Sequence, residues 1–272
     1  MAPEANAGVP AVPQLLTRSA PDFIWAAQAL AGMGYDEVNL NLGCPSGTVT
    51  AKGKGAGFLA HPEELDRFLD AVFSACTVRI SVKTRLGMHD PAEFEALLAI
   101  YNRYPICELT IHPRVRQDFY KGAVRQADFA AALPQCRMPV CLNGDLVNEQ
   151  DVRAAQTQYP QVHALMLGRG LLADPSLLTR LRGGPRADRD TLRAFHDTLY
   201  ARYCESFGER RLAMLRMKEL WFYHINLFAD SEKHSKRLKK SRTAEEYEAA
   251  AAAVFRELTL LPAAVPGWFR PA

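Results

Sequence analysis

The sequence predicts an α/β chain on the (β/α)8 TIM-barrel plan, followed by a small all-α domain. Three observations predict this. Short apolar runs alternate with longer amphipathic stretches through the first two-thirds of the 272 residues, the pattern of a parallel sheet covered by helices. Polar or Gly-rich segments sit just past the C-terminal end of these runs: Cys44, Lys83 to Arg85, His112 to Arg114, Asn143 to Asp145, and Gly168 to Arg169. From Asp190 to about Leu260 strand signals are absent and the periodicity is helical. A doubly wound sheet gathers its functional ends at one switch point, whereas here every strand contributes one, as around the top of a barrel.

The elements follow in order. Ala11 to Leu16 is a strand candidate and Pro21 to Met33 a helix. Glu37 to Leu42 is a strand, followed by a long Gly-rich loop and a helix from Pro62 to Phe73. Strands at Val78 to Lys83 and Cys107 to His112 precede helices at Pro91 to Asn102 and Asp128 to Leu133. Strands at Pro139 to Leu142 and Ala164 to Leu167 precede helices at Glu149 to Gln158 and Asp174 to Leu181. These are six strand–helix units, two short of a closed barrel of eight. Gly183-Gly184-Pro185 breaks the pattern. The expected division is a barrel-type catalytic domain over 1–185 and a helical domain of three or four helices over 186–272.

Composition narrows the class. With 48% hydrophobic and 23% charged residues, the chain can build one large core or a core plus a small second domain. No apolar run approaches the roughly 20 residues needed to span a bilayer. Met1 to Pro13 has no basic segment followed by an apolar one, so no secretory signal is read there. The six cysteines (44, 76, 107, 136, 141, 204) show no CxxC pair. That fits reduced thiols in a cytoplasm, and no Cys/His cluster has zinc-ligand spacing. Residues 1–187 carry 18 basic and 18 acidic groups, and residues 188–272 carry 15 and 12. The excess lies in Ser231 to Arg242, where Lys233, Lys236, Arg237, Lys239, Lys240 and Arg242 face only Glu232. This stretch is either a solvated helix end or a patch for an anionic partner.

The strand ends carry the candidate chemistry. Gly168-Arg169-Gly170 and Asn143-Gly144-Asp145 follow consecutive strands. Loops in those places often hold a phosphate through backbone N–H groups, although Asn-Gly-Asp is also an ordinary turn. Lys83 and His112 end their strands and suit an electron-rich ring or a phosphate; a rim salt bridge and a capping histidine are the plainer readings. Cys44 precedes Pro45 on a loop containing Gly47, Lys52, Gly53, Lys54, Gly55 and Gly57. A thiol on a basic, Gly-rich loop can be a nucleophile or an acid that protonates a carbanion. The other five cysteines read as small buried hydrophobes.

Together these residues resemble the tRNA-dihydrouridine synthase family. The resemblance rests on Pro13-Gln14-Leu15-Leu16, Tyr35 to Ser46 (with Asn41-Leu42-Gly43-Cys44-Pro45-Ser46 as its most specific part) and Lys52 to Gly57. It continues through Ser81 to Gly87, Ile111-His112-Pro113-Arg114, Asn143-Gly144-Asp145 and Leu167 to Gly170, covering roughly 10 to 180. The helical tail resembles the family's RNA-binding domain more weakly. The resemblance implies FMN as cofactor and NADPH as reductant, with hydride passing to C6 of a uracil and Cys44 protonating C5. By position, Gln14 and Lys83 would contact the flavin ring. His112, Asn143, Gly144, Asp145, Gly168 and Arg169 would hold the ribityl chain and phosphate. Asn41 would face the target base, Arg114 and Arg116 would meet RNA phosphates, and Lys236, Lys239 and Lys240 would contact the tRNA. A uridine would have to be turned out of the folded RNA to react.

Against the family pattern, the first two strand–helix units and an Ala-Pro-Met flavin-contacting motif have no counterpart before Ala11, and Pro113 stands where Gly is more usual. A chain complete in this form is expected to retain FMN weakly and to be poorly soluble. The alternatives to a tRNA uridine reductase acting as a cytoplasmic monomer are a flavin enzyme acting on a free pyrimidine and a flavin-free remnant that only binds RNA.

Overall fold

The computed structural model describes residues 3–264. They form two compact units. One runs from the start to Gly144 and takes in Tyr159–Met166; the other comprises Asp145–Gln158 and the chain from Leu167 onward.

The first unit is a parallel six-stranded sheet whose strand order follows the sequence. Its strands are β1 (Gln14–Leu15), β2 (Glu37–Leu42), β3 (Arg79–Gly87), β4 (Leu109–Val115), β5 (Val140–Asn143) and β6 (Ala164–Met166). Between them lie α1 (Ala20–Gly32), α2 (Gly47–Thr50), α3 (Pro62–Ala75), α4 (Glu93–Tyr101) and α5 (Gln126–Ala132). Local chemistry starts these helices: the Ser19 hydroxyl accepts from the Asp22 N–H, and Pro21 and Pro62 stand in first turns that need no donor. Their apolar stripes recur three and four residues apart, as with Phe23, Ala27 and Leu30 on α1 and Leu65, Phe68, Leu69 and Val72 on α3. Phe68 meets Phe23 and Phe58 edge-on at ring distances of 5.8 and 5.4 Å.

Strand alternation divides the sheet into two unlike faces. Val38, Leu40, Leu42, Ile80, Val82, Leu109 and Ile111 are fully buried and fall on one face. On the other, the register sets Gln14 beside Asn39, Asn39 beside Ser81, Asn41 beside Lys83 and Arg85 beside His112. That face is polar from strand to strand.

The second unit contains α6 (Glu149–Gln158), α7 (Arg169–Ala173), α8 (Leu177–Leu181), α9 (Arg189–Phe207), α10 (Arg210–His224), α11 (Glu232–Lys240) and α12 (Ala244–Glu257). Leu192, Met214, Met217, Trp221, Tyr247, Val254 and Phe255 form the core of the last four. Asp188 and Thr243 cap α9 and α12 through their side chains, and α9 ends at Gly208 in the left-handed region (φ 66°). Inside this core Trp221 Nε1–H donates to Tyr247 Oη at 3.0 Å, Tyr247 lies 2.7 Å from His196 Nε2, and His196 Nδ1 lies 2.8 Å from Asp197. With Tyr247 donating to the imidazole and the imidazole to Asp197, the hydrogen bonds of this network run in one consistent direction.

Four expectations change. The first strand is only two residues long, because Pro10 and Pro13 cannot donate to a ladder. Gly168-Arg169-Gly170 opens a short helix, α7, ahead of the one expected from Asp174. The units also do not divide at 185: α7 and α8 belong with the helical unit, where the Leu172 carbonyl lies 2.8 Å from His224 Nδ1 and Arg180 pairs with Glu149. All six thiols are free, yet of the five cysteines read as core only Cys141 is buried; the others are half-buried. Among the described residues no helix is long and apolar enough to cross a membrane, and no His, Cys, Asp and Glu side chains group as metal ligands.

His224 makes the second unit sensitive to acid. It is fully buried, its Nε2 has no hydrogen-bond partner, and burial pushes its pKa down to about 4. The fold therefore disfavours the imidazolium. Stability is complete above the unfolded value near 6.5 and falls as pH drops from there toward 4, by up to about 3 kcal/mol. Thermal unfolding at pH 7 and pH 5 should show a large loss in the wild type and a smaller one in His224→Phe; equal losses would remove His224 as the source.

Candidate active site

The site is built from the polar face of the first unit. Cys44 follows β2, and three groups fix its backbone. The Asn41 carboxamide oxygen accepts from the N–H groups of Gly43 (3.0 Å) and Cys44 (2.9 Å). The Gly43 carbonyl accepts from Arg85 Nε at 2.8 Å, and the Cys44 carbonyl accepts from the Ala56 N–H at 3.1 Å. Gly55 packs against this segment at φ 56°, where an added Cβ would lie 2.9 Å from both Cys44 Cβ and Cys44 O. The thiol stays half-exposed on a rigid backbone.

Arg85 connects this loop to the end of β4. Almost wholly buried, it also donates to the Val115 carbonyl at 3.0 Å and lies 5.4 Å from the Tyr120 ring. Burial pulls its pKa down to about 10. Lys83, two residues earlier on the same face, donates to the Asn143 carboxamide oxygen at 2.9 Å, and Asn143 in turn donates to the Met166 carbonyl at 2.9 Å. Burial first, and then the Arg85 charge, push Lys83 down to about 8. Gln14 donates to Asn39 and accepts from Asn41, both at 2.7 Å, and Asn39 donates to Ser81 at 2.9 Å. A carboxamide ladder thus runs across β1, β2 and β3.

His112 is buried, with its Nε2 accepting from Arg114 at 2.9 Å. Gly144 closes on it: at φ 120°, an added Cβ would lie 2.9 Å from His112 Cδ2. Arg114 corrects an expectation. It is fully buried and donates to the carbonyls of Lys121 (3.2 Å) and Gly122 (2.6 Å), so it holds its own loop and is not presented to a phosphate. Arg116 is half-buried, donates to Thr50 Oγ1 at 3.0 Å and lies 4.8 Å over the Phe119 ring, which ties the loop after β4 to the Cys44 loop. The first unit therefore gathers Gln14, Asn41, Cys44, Lys83, His112, Asn143 and Gly144 on one polar face and its rim.

The second unit carries the remaining candidates. Arg169 pairs with the nearly buried Asp145 at 2.9 Å, with Asp145 at φ 53°, and Gly170 packs where an added Cβ would lie 2.7 Å from Val147 Cα. Lys236, Lys239 and Lys240 are exposed on α11. The residues not anticipated are Arg85 as a backbone clamp, the Asn39–Ser81 pair and Gly55. Their signal was the polar alternation in Val38-Asn39-Leu40-Asn41-Leu42 and Ile80-Ser81-Val82-Lys83-Thr84-Arg85.

The sequence model of dihydrouridine synthases matches residues 1–259. The chain belongs to the dihydrouridine synthase family. It is 31% identical over 179 residues to a probable tRNA-dihydrouridine synthase of Rhodobacter capsulatus, covering 65% of this chain and 55% of that protein. Similarity to a tRNA-dihydrouridine(16) synthase of Ralstonia nicotianae is 34% over 180 residues, 65% and 54% of the two chains. With a tRNA-dihydrouridine(16) synthase of Cupriavidus necator it is 29% over 267 residues, 91% and 81%. The match to the first two spans about half the length of each. Among solved structures, a morphinone reductase variant with tetrahydroNAD aligns with a TM-score of 0.46 at 17% identity, over 63% of this chain and 51% of that one.

In this member of the family Asn41 holds the Cys44 segment through bonds from the Gly43 and Cys44 N–H groups. Asn41→Ala should cost about 1–2 kcal/mol, as expected when two buried donors lose an acceptor. It should also speed alkylation of Cys44 by iodoacetamide. An alkylation rate equal to wild type would show that the carboxamide does not hold the loop.

Proposed function

We propose that this dihydrouridine synthase reduces the C5–C6 double bond of uridines in tRNA to dihydrouridine, with FMN as cofactor, NADPH as reductant and Cys44 as proton donor. The observation that carries this reading is a half-buried thiol on a rigid backbone, on the rim of a polar sheet face that holds the half-buried cation Lys83. The donor set of that face fits the flavin. Gln14, Lys83 and Asn143 offer N–H donors to an electron-rich ring, and the close approach of Gly144 to His112 leaves backbone next to imidazole for a polar chain. In the second unit, taken by itself, Gly168, Arg169 and Asp145 suit an anion.

When bound, FMN recharged by NADPH supplies a hydride to C6 of the uracil. Cys44 gives its thiol proton to C5, so one hydride and one proton add across the double bond, and solvent returns the proton to the thiolate. Asn41 and Arg85 hold Cys44 still, and Lys83 holds positive charge beside the electron-rich partner. The six cations of Ser231 to Arg242 favour a polyanionic RNA over a free pyrimidine as substrate.

Three outcomes test this. Cys44→Ala should slow uridine reduction in tRNA by at least about 100-fold, within the range for a lost proton donor, while flavin binding and reduction by NADPH persist; unchanged turnover would remove the acid role. Because Lys83 titrates near 8, it is charged below that pH and neutral above it. FMN affinity, read by quenching of flavin fluorescence, should therefore fall as pH rises through 8, and Lys83→Met should bind weakly with a flat profile. Changing Lys236, Lys239 and Lys240 together to Glu should weaken tRNA binding and reduce the slope of log K against log salt by about 2 or more.

A further inference from the structure

The second unit exposes apolar side chains where its charge is most positive. Phe222 on α10 is 54% exposed and Leu215, seven residues earlier on the same helical face, is 46% exposed. Arg211 and Lys218 lie on that face too; its one acidic residue, Glu219, four after Leu215 and three before Phe222, is paired with Arg216 at 3.1 Å. Lys218 donates to the Ser241 carbonyl at 2.8 Å, which joins this face to the C-terminal end of α11. Lys239 sits 5.8 Å over the Phe222 ring.

The combination restricts what can bind. A cluster of cations alone would suit any polyanion. An exposed aromatic ring with a cation over one of its faces suits a partner that offers flat apolar rings and phosphates together, spaced along one chain. An RNA duplex hides its base faces, so only unpaired nucleotides present both.

We propose that Phe222 is a stacking platform for an unpaired base of the RNA substrate, with Lys239 and its neighbours on α11 taking the flanking phosphates. This rests on the reading that tRNA is the substrate. It adds a contact of a different physical kind from charge neutralisation. Stacking releases few counterions, so it should shift affinity without shifting salt dependence.

The test is equilibrium binding of the full chain to an unmodified tRNA transcript across a salt series. Phe222→Ala should weaken binding about 5- to 100-fold, the range for loss of one base–aromatic stack, at every salt concentration and with an unchanged slope. Phe222→Trp should bind like wild type, and Phe222→Leu should bind like the alanine variant. Oligo-uridylate should show the same loss, and a perfect RNA duplex should not. Wild-type affinity in Phe222→Ala or Phe222→Leu would overturn the platform while leaving the tRNA reading intact, as would an equal loss on the duplex. Failure of the wild-type chain to bind tRNA at any salt would overturn both.

Discussion

A guanidinium that has almost no contact with water governs the strand ends of the first unit. Burying a unit charge costs several kcal/mol even after the surroundings relax. Hydrogen bonds to a charged group return roughly 1.5–3 kcal/mol each. Arg85 is therefore tolerable only if several acceptors come to it, and the two backbone carbonyls that do so belong to different loops: Gly43 after β2 and Val115 at the end of β4. The requirement is chemical, but its effect is geometric. The peptide that precedes Cys44 is tied to a charge that has nowhere else to go, and Asn41 holds the same peptide from its N–H side. A thiol on a Gly-rich loop would otherwise be free to wander, and for a reacting group positioning errors of about 1 Å can cost a hundredfold in rate.

The same charge sets the electrostatics around it. Lys83 shares the face of Arg85 and is pushed down to about 8 by burial and by that neighbour. Two cations so placed make the polar face attractive to electron density and leave Lys83 close to the point of losing its proton. A ligand that brings negative charge would favour the ammonium and raise that pKa, so binding and protonation of Lys83 are linked.

Much of this was legible in the sequence because period-2 alternation is a local property. The strand–helix sequence, Glu37–Leu42 as a strand, Glu149–Gln158 as a helix and the polar residues at the strand ends all follow from patterns a few residues long. What the sequence does not carry is where a long side chain ends. Arg114 and Arg116 are two residues apart after the same strand, yet one is buried against the carbonyls of Lys121 and Gly122 and the other reaches Thr50. Nothing in their spacing distinguishes them, because the loop that captures Arg114 lies at 119–124 and has no periodic signal. Arg85 was similarly visible as a polar strand-end residue but not as a clamp, since its acceptors are backbone atoms 30 and 42 residues away.

The second unit poses a different question of cost. α11 has nine residues, of which only Leu238 is buried, and a helix that short does not persist in water by itself. Like charges four residues apart, such as Lys233 with Arg237 and Lys236 with Lys240, each oppose it by a few tenths of a kcal/mol. Its hold on the rest of the unit includes Leu238, the contact of His234 with Glu257 at 3.0 Å, Lys239 over the Phe222 ring, and the Lys218 bond to Ser241. The network of His196, Tyr247 and Trp221 lies in the helical core and involves no residue of α11. The core therefore keeps its polar pairing without those cations, and among the described residues of α11 only Glu232, four before Lys236, opposes the repulsion. That repulsion would be relieved by a partner that brings several closely spaced negative charges at once, and a phosphate backbone has that spacing.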